Sequence, residues 1–229
     1  MPLIQSPPLL HLAVAALVAY VLGALPFAYG VSRSRGVNIF EVGSGQAGAT
    51  NVFRHVGAKF AAIVFFGDIA KGALAILFGI WLGLTGAWLL VPALATTMGH
   101  WNSIFTGFKG GDGVATGVGI ALVLAPFAVA IPMAIAAFVL WRWHRTSHPT
   151  LWGGLAGFAA FLALSQASWA GVDAGVFAGI TVICAAILLH SVVYHRRRAA
   201  GVGGRMRAED AENDEPGSED GELVEERQR

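Results

Sequence analysis

The chain has 229 residues, 55% of them hydrophobic and only 13% charged, with a mean hydropathy of +0.64 and a formal net charge of +1. A soluble domain carries about a quarter charged residues, so a water-facing globular fold, a disulfide scaffold and a nucleic-acid binder are all poor descriptions. The single cysteine, Cys184, leaves no internal disulfide, and ten of the 14 acidic residues are confined to Glu209–Glu226, below a basic, apolar body.

Long apolar segments run from Pro8 to Gly30, Phe60 to Leu82, Gly86 to Phe105, Gly113 to Leu140, Leu151 to Trp169 and Ala174 to Tyr194. A membrane helix needs about 20 residues, and five segments fit one span each. The fourth is longer and contains Pro126 and Pro132. Proline breaks or kinks a helix, which predicts two short, tilted spans that turn near Pro126. With seven spans and the N-terminus outside, Arg33, Arg35, Arg54, Lys59, Lys109, Arg142, Arg145 and Arg196–Arg198 all fall on the inner side. The outer connections near Thr85, Pro126 and Asp173 contain no Lys or Arg, as the positive-inside rule requires. The expected fold is an all-α integral membrane protein, a seven-span helical bundle with Gly-rich cytoplasmic loops. Met1–Leu10 lacks a basic n-region, so no cleaved signal peptide is expected.

Two inner loops depart from ordinary connections. The first runs from Glu41 to Arg54 through Gly43, Ser44, Gly45, Thr50 and Asn51. The second runs from His100 to Thr116 through Lys109, Gly110, Gly111, Asp112 and Gly113. Both are polar, Gly-rich and lead into an apolar helix. Successive glycines let backbone N–H groups converge on an anion, and a helix N-terminus favours negative charge. Ser44, Thr50, Asn51 and Thr116 carry further donors, and Arg54 and Lys109 carry charge suited to phosphate. Close helix packing is the competing account of the glycines, and it suits Gly79, Gly83, Gly117, Gly119 and Gly157. Neither loop has the P-loop spacing, and there is no GxSxG elbow and no Cys-based metal spacing.

After Ala199 the composition turns to Gly, Glu, Asp and Arg. Such a segment buries too little apolar surface to offset its ordering entropy. Residues 1–198 are therefore expected to form the transmembrane domain and 199–229 a disordered acidic cytoplasmic tail, with partner binding as its alternative role.

The strings GSGQAGATNVFR, GDIAKG and GHWNSIFTGFKGGDGVATGVG closely resemble the bacterial acyl-phosphate:glycerol-3-phosphate acyltransferases (PlsY). The family patterns are GSGNxGATNVxR, xDxxKG and GHxxPVFxxFKGGKGVATxxG, and the resemblance extends over roughly Leu22 to Tyr194. It implies a seven-span fold of the bacterial inner membrane with its site on the cytoplasmic side. The implied reaction moves an acyl group from acyl phosphate to glycerol 3-phosphate, giving lysophosphatidate and inorganic phosphate. It requires no metal and no cofactor; membrane lipids surround a chain expected to be a monomer. By the resemblance, Ser44, Thr50, Asn51 and Arg54 bind the phosphorylated substrate, with Gly43 and Gly45 in the same cradle. His100, Lys109, Gly110, Gly111, Gly113 and Thr116 shape the second phosphate site. Ser44, Arg54, His100 and position 112 are the implied catalytic set.

The departures are specific. Gln46 replaces Asn, Ser103 replaces Pro, and Asp112 replaces the second Lys of KGGKG. Like charges ~4 Å apart repel by about 1–4 kcal/mol. Asp112 is therefore expected to oppose phosphate unless protonated or paired with a cation such as Lys109, and Asp112→Lys to raise phosphate affinity. Gly153 falls where the family's RYxSLxS has its second Ser, and the Asn of RHxxNIxRL is absent from His190–Arg198. A second possibility is therefore a catalytically weak or inactive member acting as a membrane regulatory or interaction protein. A third is a small transporter, which would show paired broken spans near mid-bilayer.

Asp68 and Lys71, three apart in the second span, share a helix face; they read as a structural pair near the site or as direct substrate contacts. His190 reads as an interfacial polar residue or a proton carrier. Trp141, Trp143 and Trp152 read as aromatic-belt residues, and His195–Arg198 as a topology anchor contacting anionic lipid.

Overall fold

The computed structural model describes residues 7–146, 149–165 and 173–213, and every regular element among them is helical. The helices are α1 (Leu9–Ala24), α2 (Phe27–Arg33), α3 (Ala49–His55), α4 (Ala58–Trp81) and α5 (Leu90–Trp101), then α6 (Val114–Leu124), α7 (Pro126–Arg142), α8 (Pro149–Ser165) and α9 (Ala174–Asn213). Short 3-10 turns at Gly86–Leu89 and Ile104–Thr106 flank α5. The chain divides into two units, Met1–Val192 and Val193–Arg229. The second unit, as far as it is described, continues α9 to Asn213, past the composition change at Ala199. Ser147, His148 and residues 214–229 of the expected tail lie outside the described residues.

Among the described residues, three stretches are long and apolar enough to cross a membrane: Leu9–Arg33, Ala58–Trp81 and Ala174–Tyr194. The 24 residues of α4 rise ~36 Å, more than the ~30 Å hydrocarbon core. In contrast, the 11 residues of α6 rise only ~16 Å. The fourth apolar segment breaks where its prolines predict. Ala125 (φ −147, ψ 61) ends α6 and precedes α7, and Pro126 opens α7, where its missing N–H costs nothing. Pro132 stays inside α7 without ending it. The first segment is not continuous: α1 stops at Ala24 and α2 starts at Phe27, with Pro26 between them. Pro26 is the sequence signal for that break.

Small residues bring the helices together. α1 packs on α5, and α4 on both α1 and α6. A Cβ on Gly99 would collide with the Tyr20 carbonyl, and one on Gly72 with the Thr116 carbonyl. Gly119 meets the Ile69 carbonyl in the same way. Such contacts let backbones approach where lipid offers no hydrophobic driving force. Gly79, Gly117 and Gly157 also pack closely. Gly83 does not: it turns the chain at φ +81 in open space. Ile76, Leu84, Ile120, Ile183 and Ile187 form one buried cluster, and Ala125, Val129, Phe161 and Ile180 belong to another. Trp141, Trp143 and Trp152 are exposed.

Candidate active site

The break between α1 and α2 has a polar consequence. The carbonyl of Leu25, outside any helix, accepts from Lys71 Nζ at 3.3 Å. Lys71 also pairs with Asp68 Oδ1 at 2.8 Å across one turn of α4. Both side chains are buried, and each meets its complement there. His100, near the end of α5, places Nδ1 3.8 Å from Asp68 Oδ1 and 3.2 Å from Thr116 Oγ1. Thr116 is fully buried in α6 and so fixes the imidazole rather than facing open space. Asp68, Lys71 and His100 line a narrow cavity of about 20 Å³ together with Lys109, Gly110 and Gly111. Leu25, Pro26 and Phe27 add to that wall, a contribution the sequence signalled only through Pro26.

The two Gly-rich loops interlock at this cavity. The Ala47 N–H donates to the Gly110 carbonyl at 3.1 Å, and the Gly111 N–H to the His100 carbonyl at 3.3 Å. A Cβ on Gly111 would lie 2.6 Å from His100 Nε2, and one on Gly110 would collide with the His100 carbonyl. Here the glycines let one loop press on the other and on His100. Gly43 and Gly45 have φ +52 and +66, and the Gly45 N–H closes a turn on Val42.

Asn51 organises the first loop. Its Nδ2 donates to the carbonyls of Ile39, Val42 and Gln46 at 3.1, 3.1 and 3.0 Å. Ser44 is half-buried, and its Oγ accepts from the Gln46 N–H at 3.4 Å. Thr50 lies in the first turn of α3, half-buried. Arg54 is exposed and donates through Nη2 to the Thr146 carbonyl at 2.7 Å, bridging to the α7–α8 connection. Lys109 is exposed, with Nζ 5.9 Å from the centre of the Phe40 ring. His100, Lys109, Gly110 and Gly111 thus share one cavity, whereas Ser44, Thr50, Asn51, Arg54, Asp112, Gly113 and Thr116 do not line it.

Asp112 has partners other than Lys109. Its Oδ1 accepts from the N–H of Val114, the first residue of α6, at 3.2 Å. Its carbonyl accepts from Trp101 Nε1 at 2.9 Å, and the Trp101 ring stacks on His190 at 4.5 Å. Gly113, at φ +90, lets this turn pass against Trp101. Burial pushes the Asp112 carboxyl above its ordinary range, opposed by the Val114 N–H and by His190. The carboxyl therefore sits at a helix start, within electrostatic reach of the His190 imidazole. Sequence spacing gave no sign of the Trp101–His190 stack, which joins α5 to α9.

Residues 13–201 match the family described as glycerol-3-phosphate acyltransferase. A glycerol-3-phosphate acyltransferase of Aquifex aeolicus is 34% identical over 185 residues, covering 79% of this chain and 88% of that protein. Glycerol-3-phosphate acyltransferase 1 of Deinococcus radiodurans is 37% identical over 155 residues, covering 68% and 78%. The crystal structure of PlsY (YgiH), an integral membrane glycerol 3-phosphate acyltransferase, in its glycerol 3-phosphate form superposes with a TM-score of 0.69 at 30% identity, covering 83% of this chain and 92% of that one. Family model, relatives and solved structure agree, and this chain belongs to the glycerol-3-phosphate acyltransferase family.

Proposed function

We propose that this chain transfers an acyl group from acyl phosphate to glycerol 3-phosphate, forming lysophosphatidate and inorganic phosphate. The observation that carries this is the cavity shared by Lys71, His100, Lys109, Gly110 and Gly111 at the meeting point of the two loops. In the reaction, a hydroxyl oxygen of glycerol 3-phosphate attacks the acyl carbonyl carbon. The carbonyl carbon–phosphate oxygen bond breaks, phosphate leaves with the electron pair, and the hydroxyl proton ends on phosphate. The donor is already activated, so positioning and charge stabilisation supply the catalysis. Lys71 and Lys109 provide positive charge at the cavity, and Asp68 and Thr116 hold Lys71 and His100 in place. Ser44, Thr50 and Arg54 bind the phosphate of glycerol 3-phosphate, with Asn51 shaping their loop. The acyl chain runs along α6 into an apolar cavity of about 110 Å³ that begins at Val114 and continues past Gly117, Val118 and Ala121.

The relatives carry acyltransferase names, which supports catalysis over a regulatory role. We place the protein in the bacterial inner membrane as a monomer, with its N-terminus outside. The loops around Asn51 and Lys109, and residues 199–229, face the cytoplasm. Cysteine labelling after replacement of Cys184 tests this orientation: periplasmic labelling at position 51 or 109 would separate the loops from a shared inner-face site. The activity is tested by incubating purified protein with acyl phosphate and glycerol 3-phosphate. Lysophosphatidate and phosphate in equal amounts are expected, and phosphate release without acyl transfer would contradict the assignment.

A further inference from the structure

The connection between α5 and α6 combines tight anchoring with apolar display. Ser103 is buried and donates to the Ala24 carbonyl at 2.6 Å, and Tyr20 donates to the Asn102 carbonyl at 2.8 Å. These bonds tie the connection to α1, inside an apolar stretch long enough to span. The Phe108 N–H donates to the Ser103 carbonyl at 2.8 Å, and Thr106 Oγ1 donates to the Lys109 carbonyl. Even so, Ile104, Phe105 and Phe108 are 46%, 52% and 67% exposed. Phe108 stands at φ +61, immediately after Gly107 at φ +64. A bulky residue at positive φ is a strained outlier, and such strain concentrates at functional sites. The next residues, Lys109, Gly110 and Gly111, line the polar cavity. One short segment thus displays apolar side chains on its surface while its exposed cation and its glycines border the cavity.

We propose that Ile104, Phe105 and Phe108 form a wedge seated in the lipid interface on their own side of the bilayer. The wedge fixes Lys109, Gly110 and Gly111 at headgroup depth. Lipid is the fitting partner because the segment joins two apolar helices and is hydrogen-bonded to a third, which keeps it at the membrane boundary. Apolar faces of this kind bury roughly 5–10 Å into the headgroup–acyl boundary. At that depth a phosphate carried on an acyl chain reaches the cavity while its chain remains in lipid. This consequence rests on the acyltransferase reading; the seating of the wedge does not.

Spin labels at Phe105→Cys and Phe108→Cys, in a Cys184→Ala background in lipid nanodiscs, test the seating directly. Oxygen accessibility is expected to exceed that of a water-soluble nickel chelate at both sites, with the reverse at the exposed control Lys59→Cys. Nickel accessibility at 105 and 108 equal to that at 59 would overturn the proposal, whether or not the protein is active. The second arm uses Phe108→Gly, which removes the ring and suits the positive φ, so the variant is expected to fold. Its KM for a long-chain acyl phosphate in vesicles is expected to rise about tenfold. KM for glycerol 3-phosphate and turnover of a short, water-soluble acyl phosphate should stay unchanged. Equal losses with both donors would show a structural role only and reject the consequence for the donor. Inactivity of the unaltered protein would instead count against the acyltransferase reading and leave the spin-label result to decide the wedge.

Discussion

Lys71 Nζ sits 2.8 Å from Asp68 Oδ1, with both side chains buried and the lysine also reaching the Leu25 carbonyl. Removing one member strands the other, which typically costs about 3–5 kcal/mol. Asp68→Ala is therefore expected to destabilise the protein by that order in a detergent unfolding titration. Replacing both with apolar residues of similar size should cost much less while abolishing activity. A single Asp68→Ala variant as stable as the parent would mean that the pair does not compensate charge.

Asn51→Ala and Asn51→Asp separate loop-building from substrate contact. The amide's two N–H groups are shared among three carbonyls. That of Val42 also accepts from the Gly45 N–H, so the loss falls on Ile39 and Gln46, and a buried acceptor left unpaired costs about 1–3 kcal/mol. Aspartate fills the same space but aims a carboxylate at those carbonyls. Asn51→Asp is expected to be the less stable variant near neutral pH, read by thermal unfolding. The opposite order would favour direct phosphate binding by the side chain.

Much of this arrangement was legible from spacing. The i,i+3 relation of Asp68 and Lys71 predicted their pairing, and Pro126 predicted the α6–α7 break at Ala125. The interlocked loops were not legible, because the Ala47–Gly110 bond joins segments that only tertiary packing brings together. The same holds for Asp112. Its sequence context suggested a carboxylate facing phosphate and gave no sign of the bonds to Trp101 and Val114 or of His190 nearby. The bonds from Asn51 to its own loop were not legible either, because polarity in a Gly-rich loop does not distinguish a loop's own carbonyls from a substrate's oxygens.

Arg54 offers a test of the first loop as a phosphate site. Its guanidinium is exposed and, among the described residues, donates to the Thr146 carbonyl at 2.7 Å, and a guanidinium carries five donors. Losing a charge-assisted hydrogen bond costs ~1.5–3 kcal/mol, or about 10- to 150-fold in affinity. Arg54→Ala is expected to weaken glycerol 3-phosphate binding within that range, measured by calorimetry, without changing the unfolding midpoint. Unchanged affinity would remove Arg54 from the site.

The raised proton affinity of Asp112 carries a signed pH effect. Burial holds its carboxyl above the ordinary value of 3.8, so the folded state binds the proton more tightly than the unfolded chain. The contribution to stability is largest below that value and declines as pH rises toward the folded-state value, then levels off. Asp112→Asn removes the titration. Its stability relative to the parent should therefore improve on raising the pH from about 4 to about 7. Parallel unfolding curves over this range would contradict the burial of the carboxyl.

Asp112→Lys tests which way position 112 faces. If the carboxylate opposed phosphate, restoring the family's lysine would raise affinity and turnover. The geometry argues otherwise, because Asp112 Oδ1 accepts from the N–H of Val114 at the start of α6. Lysine loses that acceptor, and losing a hydrogen bond of this kind costs about 0.5–1.5 kcal/mol. It also places a cation at the positive end of a helix dipole, a further ~0.3–1 kcal/mol, and sets it near His190. Asp112→Lys is therefore expected to be less stable than the parent and no faster. Asp112→Asn keeps an oxygen acceptor for Val114 and should retain turnover. Assaying the three proteins side by side with acyl phosphate and glycerol 3-phosphate decides between the two orientations. A gain in turnover for the lysine variant would put the carboxylate in front of the substrate phosphate, and its role in holding the turn before α6 would have to be abandoned.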